Sequence, residues 1–215
     1  MKRVSLQLKV KRERIDEYQE AHRKVWPDML AALSRHGHRN YSIFMDENGY
    51  LFFYLEMPDD PDRAFAAMAK EEVSDRWRKF MTPLFESTQR IPLEEVFHLD
   101  APARRPARHL RTGFLLKVRK DRIDEYSEHH RKVWPEMLAA LRKHGWHNYS
   151  LFMRADGLMF GYVEVPDSFE ASLAGMAGEE VNGRWQKFMA PYFENLGGAR
   201  PDENMRQLQE VFHLD

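Results

Sequence analysis

The stretch RIDEYQEAHRKVWPDMLAALSRHG, residues 14–37, recurs almost unchanged as RIDEYSEHHRKVWPEMLAALRKHG, residues 122–145. The offset of 108 residues holds without a gap when residues 3–86 are laid over residues 111–194, and 48 of these 84 positions are identical. Both copies end on EVFHLD, although the second copy is seven residues longer just before that ending. A period this long, with both copies complete, predicts two domains rather than a solenoid of small repeats.

The repeat predicts one domain at residues 1–100, a linker at residues 101–110 and a second domain at residues 111–215. The linker, APARRPARHL, is rich in proline and arginine, and such segments tend to be extended at about 3 Å per residue. Its arginines could contact nucleic acid. Because 33 basic residues balance 34 acidic residues in the whole chain, a solvated linker is the favoured interpretation.

The composition limits the class of protein further. The chain has no cysteine, which excludes a disulfide scaffold and a thiolate nucleophile and fits the cytoplasm. Its first residues, MKRVSLQLKV, alternate polar and apolar side chains and lack the continuous apolar stretch of a signal peptide. No later segment is long and apolar enough to span a membrane. We therefore expect a cytoplasmic protein with neither a membrane nor a nucleic acid as partner.

Hydrophobic periodicity predicts the elements of each copy. In the first copy the pattern indicates a strand at residues 3–10, a helix at 13–35 that Pro27 kinks or breaks, a hairpin at 41–57, a helix at 62–85 that is one piece or two, and a closing strand at 95–100. Gly37 is a natural stop for the first helix. The second helix is expected to turn six side chains inward: Phe65, Met68, Val73, Trp77, Phe80 and Met81.

The order β-α-β-β-α-β is that of the ferredoxin-like α+β unit. Its antiparallel sheet carries helices on one face, so the other face must be covered. A second copy in the same chain is the obvious cover. We therefore expect the two sheets to pack as an intramolecular pseudo-dimer of the dimeric α+β barrel type, and the sequence leaves further oligomerisation open.

Two side chains on the first helix could carry chemistry. Tyr18 and His22 are four residues apart, which places them on one helix face, and Tyr126 and His130 repeat the pair. An imidazole titrates at about pH 6.5 and can transfer protons at neutral pH. Without further information, such a pair is more often found at the edge of a core.

Other polar and aromatic side chains are weaker candidates. Tyr41 and Trp77 supply flat apolar faces with a polar edge, which suits the surface of a sugar. Glu56 and Glu164 lie on predicted strands and are either bases or solvated carboxylates. His36 and His38 resemble a pair of metal ligands in their spacing. Trp146 replaces His38 in the second copy, however, so no metal site is predicted.

The ordered set of these residues is similar to the L-rhamnose mutarotase family over essentially all of each copy. The set consists of Tyr18-x3-His22-x3-Trp26-Pro27, His36-Gly37-x2-Asn40-Tyr41, Arg76-Trp77-x-Lys79-Phe80-Met81 and Glu95-Val96-Phe97. The resemblance implies a cofactor-free enzyme that interconverts the α and β anomers of a monosaccharide. It also implies a role for each candidate: His22 and His130 match the proton donor, and the sugar-contacting residues are matched by Tyr18, Tyr41, Trp77, Tyr126, Tyr149 and Trp185.

The sequence also departs from the family pattern. Arg78 and Gln186 stand where the family has a second tryptophan, and Arg39 in the first copy corresponds to His147 in the second. These changes leave open whether the sugar is L-rhamnose or a related deoxy sugar, and whether the two sites are equivalent. Independently of them, the general base is open between a tyrosine, Glu56 or Glu164, and water. Two alternatives to a mutarotase stay open: a non-catalytic sugar-binding module, and a cofactor-free or haem-type monooxygenase of the same barrel fold.

Overall fold

The computed structural model describes residues 1–102 and 109–215, and the chain divides into two compact units. Unit 1 comprises residues 1–93 and 209–215, and unit 2 comprises residues 94–208. Most of the predicted linker, including its arginines, lies outside the described residues, so its extension stays a prediction.

Each unit has the element order that the periodicity predicts, which confirms the ferredoxin-like α+β class. The elements of the first copy are β1 (Lys2–Val10), α1 (Ile15–Arg23), α2 (Pro27–Arg35), β2 (Arg39–Met45), β3 (Tyr50–Met57), α3 (Pro61–Met68), α4 (Glu72–Met81) and β4 (Phe85–Leu99). Those of the second copy are β5 (Leu110–Lys117), α5 (Ile123–Arg131), α6 (Pro135–Lys143), β6 (His147–Met153), β7 (Leu158–Val165), α7 (Phe169–Ala177), α8 (Glu180–Met189), β8 (Arg206–Gln207) and β9 (Gln209–Leu214).

Proline and glycine set the ends of the first two helices. The predicted break at Pro27 is confirmed, because α1 ends at Arg23 and Pro27 is the first residue of α2. Proline breaks no hydrogen bond at the first position of a helix, because the N–H of that residue has no partner within the helix. Gly37 follows α2 with a φ of +77°, a left-handed conformation that glycine adopts readily.

The second predicted helix forms as two pieces, α3 and α4, and one of its inward assignments is wrong. Phe80 is 50% exposed. Val73 and Met81 of α4 are buried, but Phe80, seven residues after Val73, projects from nearly the same side as Val73, so this side of α4 is only partly covered near the end of the helix. Phe80 instead lies against Trp26 and Trp77, with ring centroids 5.7 and 5.8 Å apart.

The strand order within unit 1 is β4-β1-β3-β2-β9, and all the pairs are antiparallel. The first part of β4 pairs with β1, with Phe85 opposite Val10 and Leu93 opposite Ser5. Unit 2 repeats this arrangement in the order β8-β5-β7-β6-β4. Its helices and strands enclose a core of large apolar side chains, among them Phe114 and Tyr126.

The closing EVFHLD strands are exchanged between the compact units. Phe97 of the first copy pairs opposite Leu151 in unit 2, whereas Phe212 of the second copy pairs opposite Ile43 in unit 1. The compact units therefore differ from the predicted domains 1–100 and 111–215, which remain boundaries of the sequence repeat. The motif is identical in both copies, so the repeat itself could not indicate which unit each strand completes.

In residues 1–102 and 109–215, no helix combines the length and the hydrophobicity that crossing a bilayer requires. The cytoplasmic location and the face-to-face packing of the two sheets stay predictions.

The β6–β7 turn depends on Gly157 for its shape. Gly157 has a φ of +92°, and a Cβ atom there would lie 2.1 Å from the carbonyl oxygen of Val118. We expect Gly157→Ala to lower the free energy of unfolding by about 1–3 kcal/mol, as measured by denaturant titration. The matched change is Gly183→Ala inside α8, where an added Cβ atom would have no neighbour within 4 Å among the described residues. This change should raise the free energy of unfolding by about 0.5–1 kcal/mol. Equal stabilities of the two variants would contradict this account of the turn.

Candidate active site

Tyr18 and His22 form the centre of the site in unit 1. Both lie on α1, and their rings stack with centroids 4.1 Å apart. The tyrosine is almost fully buried, at 1% exposure, whereas the histidine keeps part of its surface open. The helical spacing thus places an imidazole against a rigid aromatic face, as the sequence predicts.

The backbone fixes the tautomer of His22. Its Nδ1 atom lies 3.0 Å from the carbonyl oxygen of Tyr18, which can only accept, so Nδ1 carries the proton. Burial lowers the pKa of His22 to about 4, and the carbonyl bond offsets only part of that effect. At neutral pH the ring is therefore uncharged, and Nε2 has a free lone pair.

Aromatic side chains from three other elements surround this imidazole. Trp77 of α4 lies 5.7 Å from the His22 ring, and Phe212 of β9 lies 5.8 Å from it. Tyr41 of β2 contacts Phe212 at 5.3 Å. All of them, with Tyr18, line a cavity of about 500 Å³. The structure therefore brings together the four residues that the sequence singled out in the first copy.

The polar lining of this cavity includes His38 and Arg90. His38 is only 3% exposed, and its Nδ1 atom has no hydrogen-bond partner in the described part of the chain. Burial lowers its pKa to about 4. Burial also raises the pKa of Tyr41, an effect that the nearby guanidinium of Arg90 partly offsets. From the sequence, His38 is a candidate only for metal binding, and no local pattern points to Arg90.

The glutamates proposed as bases are outside the cavity linings. Glu56 accepts hydrogen bonds from Asn40 at 2.9 Å and from the Tyr54 hydroxyl at 3.1 Å. Glu164 accepts the equivalent bonds in unit 2, from Asn148 at 2.8 Å and Tyr162 at 3.2 Å. Neither carboxylate is among the residues that line the cavities. The structure thus gives both glutamates a role in joining neighbouring strands.

Unit 2 repeats the aromatic arrangement around His130. The Tyr126 and His130 rings stack at 4.1 Å, and Trp185 and Phe97 lie 5.5 and 5.9 Å from the imidazole. Tyr149 completes the set, 5.4 Å from Phe97. The Nδ1 atom of His130 donates to the Tyr126 carbonyl at 3.0 Å, and burial lowers its pKa to about 4.

The cavities of the two units differ in volume. The one beside His130 measures about 60 Å³, against about 500 Å³ beside His22. Sites for small molecules usually measure roughly 300–1,000 Å³, so of these two cavities the one beside His22 falls within that range.

Sequence reasoning gave no cavity role to Phe97 or Phe212, although Phe97 belongs to the family motif. The shared EVFHLD motif could have pointed to them, because both copies carry it. The alternation of apolar residues in this motif is typical of any half-buried strand, however. It does not show whether an apolar side chain lines a cavity or packs in a core.

Comparison with known proteins assigns the chain to a family. The sequence profile of L-rhamnose mutarotase matches residues 3–99 and again residues 111–214, which together make up nearly the whole chain. The chain belongs to the L-rhamnose mutarotase family. Two matches, one after the other, also confirm the tandem duplication and the expected class of enzyme, a carbohydrate isomerase.

Single family members match one half of the chain. The L-rhamnose mutarotase of Oceanobacillus iheyensis is 42% identical over 106 residues, which are 49% of this chain and 98% of that protein. The L-rhamnose mutarotase of Bacillus subtilis is also 42% identical over 106 residues, 46% of this chain and all of that protein. This chain therefore contains two family domains in one polypeptide.

A provisionally assigned monooxygenase from Fusobacterium nucleatum has a similar fold. Its crystal structure superposes with a TM-score of 0.65, covering 99% of this chain and 93% of that one. The sequences are only 10% identical, so the likeness concerns the fold alone.

Proposed function

We propose that this protein is a mutarotase that interconverts the anomers of L-rhamnose or a related deoxy sugar without a cofactor. The observation that carries the proposal is the neutral imidazole of His22, which faces a cavity of about 500 Å³ with aromatic walls. Membership of the L-rhamnose mutarotase family supports the substrate class.

The proposed reaction opens the pyranose ring and closes it on the other face of the carbonyl. Opening requires removal of the proton from the anomeric hydroxyl and delivery of a proton to the ring oxygen. Because Nδ1 of His22 is held by the Tyr18 carbonyl, Nε2 is the atom that accepts the anomeric proton. As the bond between the anomeric carbon and the ring oxygen breaks, the ring oxygen takes its proton from a tyrosine hydroxyl or from water.

Closure reverses these transfers after rotation about the bond between the first two carbons. The hydroxyl that was the ring oxygen attacks the carbonyl and returns its proton to the donor. The imidazolium of His22 then delivers its proton to the carbonyl oxygen, which becomes the new anomeric hydroxyl. In this direction His22 acts as the proton donor that the family resemblance implies, and no net proton is consumed.

The aromatic residues orient the sugar in this proposal. Burial raises the pKa of both Tyr18 and Tyr41, so their hydroxyls stay protonated at neutral pH and can donate to sugar oxygens. Trp77 offers a flat face for the apolar C–H groups of the pyranose. In unit 2 the equivalent positions are occupied by His130, Tyr126, Tyr149 and Trp185, around a much smaller cavity.

The pH profile of catalysed exchange tests the role of His22. We expect the exchange of L-rhamnose anomers above the uncatalysed rate, measured by NMR saturation transfer, to be level from about pH 5.5 to about pH 8. It should fall only as the pH drops towards about 4, where Nε2 becomes protonated and cannot accept. An imidazolium with an ordinary pKa of about 6.5 would instead lose activity as the pH rises above that value.

Two results would contradict the proposal. A rate that does not exceed the uncatalysed rate at any pH would exclude mutarotase activity on this sugar. A rate that declines steadily above about pH 6.5 would show that protonated histidine is the reactive form in the resting enzyme.

A further inference from the structure

We infer that unit 1 alone receives the sugar, and that in unit 2 residues 200–205 and Trp146 occupy the space that a sugar would need. The inference rests on the proposed function for the identity of the ligand. It rests on geometry for the difference between the units, since equivalent side chains border about 500 Å³ in unit 1 and about 60 Å³ in unit 2.

The first cause is a substitution at one lining position. His38 of unit 1 corresponds to Trp146 of unit 2, a much larger side chain. Trp146 is 2% exposed and packs against Tyr149 and Phe169, with ring centroids 4.9 and 5.4 Å away. The indole therefore fills part of the volume next to the predicted sugar-contacting tyrosine.

The second cause is the seven-residue extension of the second copy. It leads into residues 200–205, where a short turn at Pro201–Asn204 brings Pro201, Asp202 and Met205 onto the cavity lining. At the corresponding place unit 1 has the first part of strand β4, whose lining residues Thr88 and Arg90 are exposed. The extension thus replaces an open edge with a covering segment.

Hydrogen bonds hold this covering segment in place. The Asn182 amide donates to the Asp202 carboxylate at 2.9 Å, and Gln186 donates to Asn182 at 3.0 Å. The backbone N–H of Asp202 donates to Gln186 at 3.3 Å, and Arg200 donates to the same carboxylate at 3.0 and 3.2 Å. Asn182, Gln186 and Asp202 are all at least nine-tenths buried. Opening the segment would expose this network and break several bonds at once.

Unit 1 has no such network at the equivalent positions. Ser74 stands in place of Asn182 and is half-buried, and Arg78 stands in place of Gln186 and is exposed, where it pairs with Asp75. Tyr41 and Trp77 are half-buried, whereas their counterparts Tyr149 and Trp185 are buried.

His38 lines the cavity of unit 1 at the position where unit 2 has Trp146. The indole of Trp146 is directed towards α7, where its Nε1 atom donates to the carbonyl of Ser172 at 3.5 Å.

The second copy nevertheless contributes to the site in unit 1. Its strand β9 pairs with β2 and places Phe212 5.8 Å from the His22 ring. The second copy therefore supports the site in unit 1 through its last strand, even though the cavity in unit 2 is closed.

Thiol labelling tests the difference in access without any sugar. The chain has no cysteine, and Met81 and Met189 occupy equivalent lining positions, both at most 3% exposed. We expect methyl methanethiosulfonate to label the Met81→Cys variant about tenfold or more faster than the Met189→Cys variant, as measured by mass spectrometry. Adding Asp202→Ala to Met189→Cys should raise its rate, because it removes the centre of the network. Equal rates for the two single variants would overturn the inference.

Binding and exchange give a second, independent test. Calorimetric titration with L-rhamnose should find one site per chain, and His22→Ala alone should lose as much catalysed exchange as the double variant with His130→Ala. Two sites, or about half of the exchange left in the His22→Ala variant, would overturn the inference. A wild-type protein that neither binds L-rhamnose nor speeds its exchange would refute the proposed function, and the labelling rates would still decide between an open and a closed unit 2.

Discussion

Replacing both His22 and His130 by alanine is expected to abolish nearly all catalysed exchange of L-rhamnose anomers, a loss of about 10²–10⁴-fold. The reason is geometric, because each imidazole has its Nδ1 proton held by a backbone carbonyl at 3.0 Å and is left with one free nitrogen beside a cavity. Alanine removes that nitrogen and keeps the helix. Saturation-transfer NMR on wild type and variant at equal concentration gives the measurement.

The repeat supplies a matched control for this double variant. His36 and His144 are also equivalent histidines, but their Nε2 atoms bond to Glu71 and Glu179 at 2.7 Å, and neither lines the cavity beside His22 or the one beside His130. The double change His36→Ala and His144→Ala should keep the exchange rate within about twofold of wild type. If it lost as much activity as the first double variant, the effect would reflect general damage and not a missing proton carrier.

Much of the fold was predictable because its signals are local. The break at Pro27 follows from the missing N–H of proline, and the stop at Gly37 follows from its left-handed backbone. The stacking of Tyr18 on His22 follows from helical spacing alone. The same local signals predict the second copy, since 48 of 84 aligned positions are identical.

The parts that sequence reasoning missed depend on contacts between distant segments. Phe80 belongs to an apolar pattern, but which face of α4 is covered depends on what packs against it, and the ring is 50% exposed. The protonation state of His22 depends on its burial, and the small cavity in unit 2 depends on where residues 200–205 lie. Neither property has a signature in spacing or composition.

Ending the chain after Leu208 is expected to disable unit 1, although the deleted residues belong to the second copy. The deletion removes strand β9, which pairs with β2 from Tyr41 to Met45, and takes away Phe212 beside His22. We expect the free energy of unfolding of unit 1 to fall by at least about 3 kcal/mol, and catalysed exchange to fall to the level of the double histidine variant. Denaturant titration and saturation-transfer NMR measure the two effects.

A chain that ends after Leu214 is the control, because it lacks only the exposed Asp215 and keeps the whole of β9. This variant should resemble wild type in stability and exchange. If the chain ending after Leu208 also did so, the exchanged strand could not be what completes unit 1, and each copy would have to close its own sheet with its own EVFHLD segment. A loss confined to the longer deletion would instead mean that the site around His22 is assembled from both copies, so that cutting the chain into its two sequence repeats separates the imidazole from one wall of its cavity.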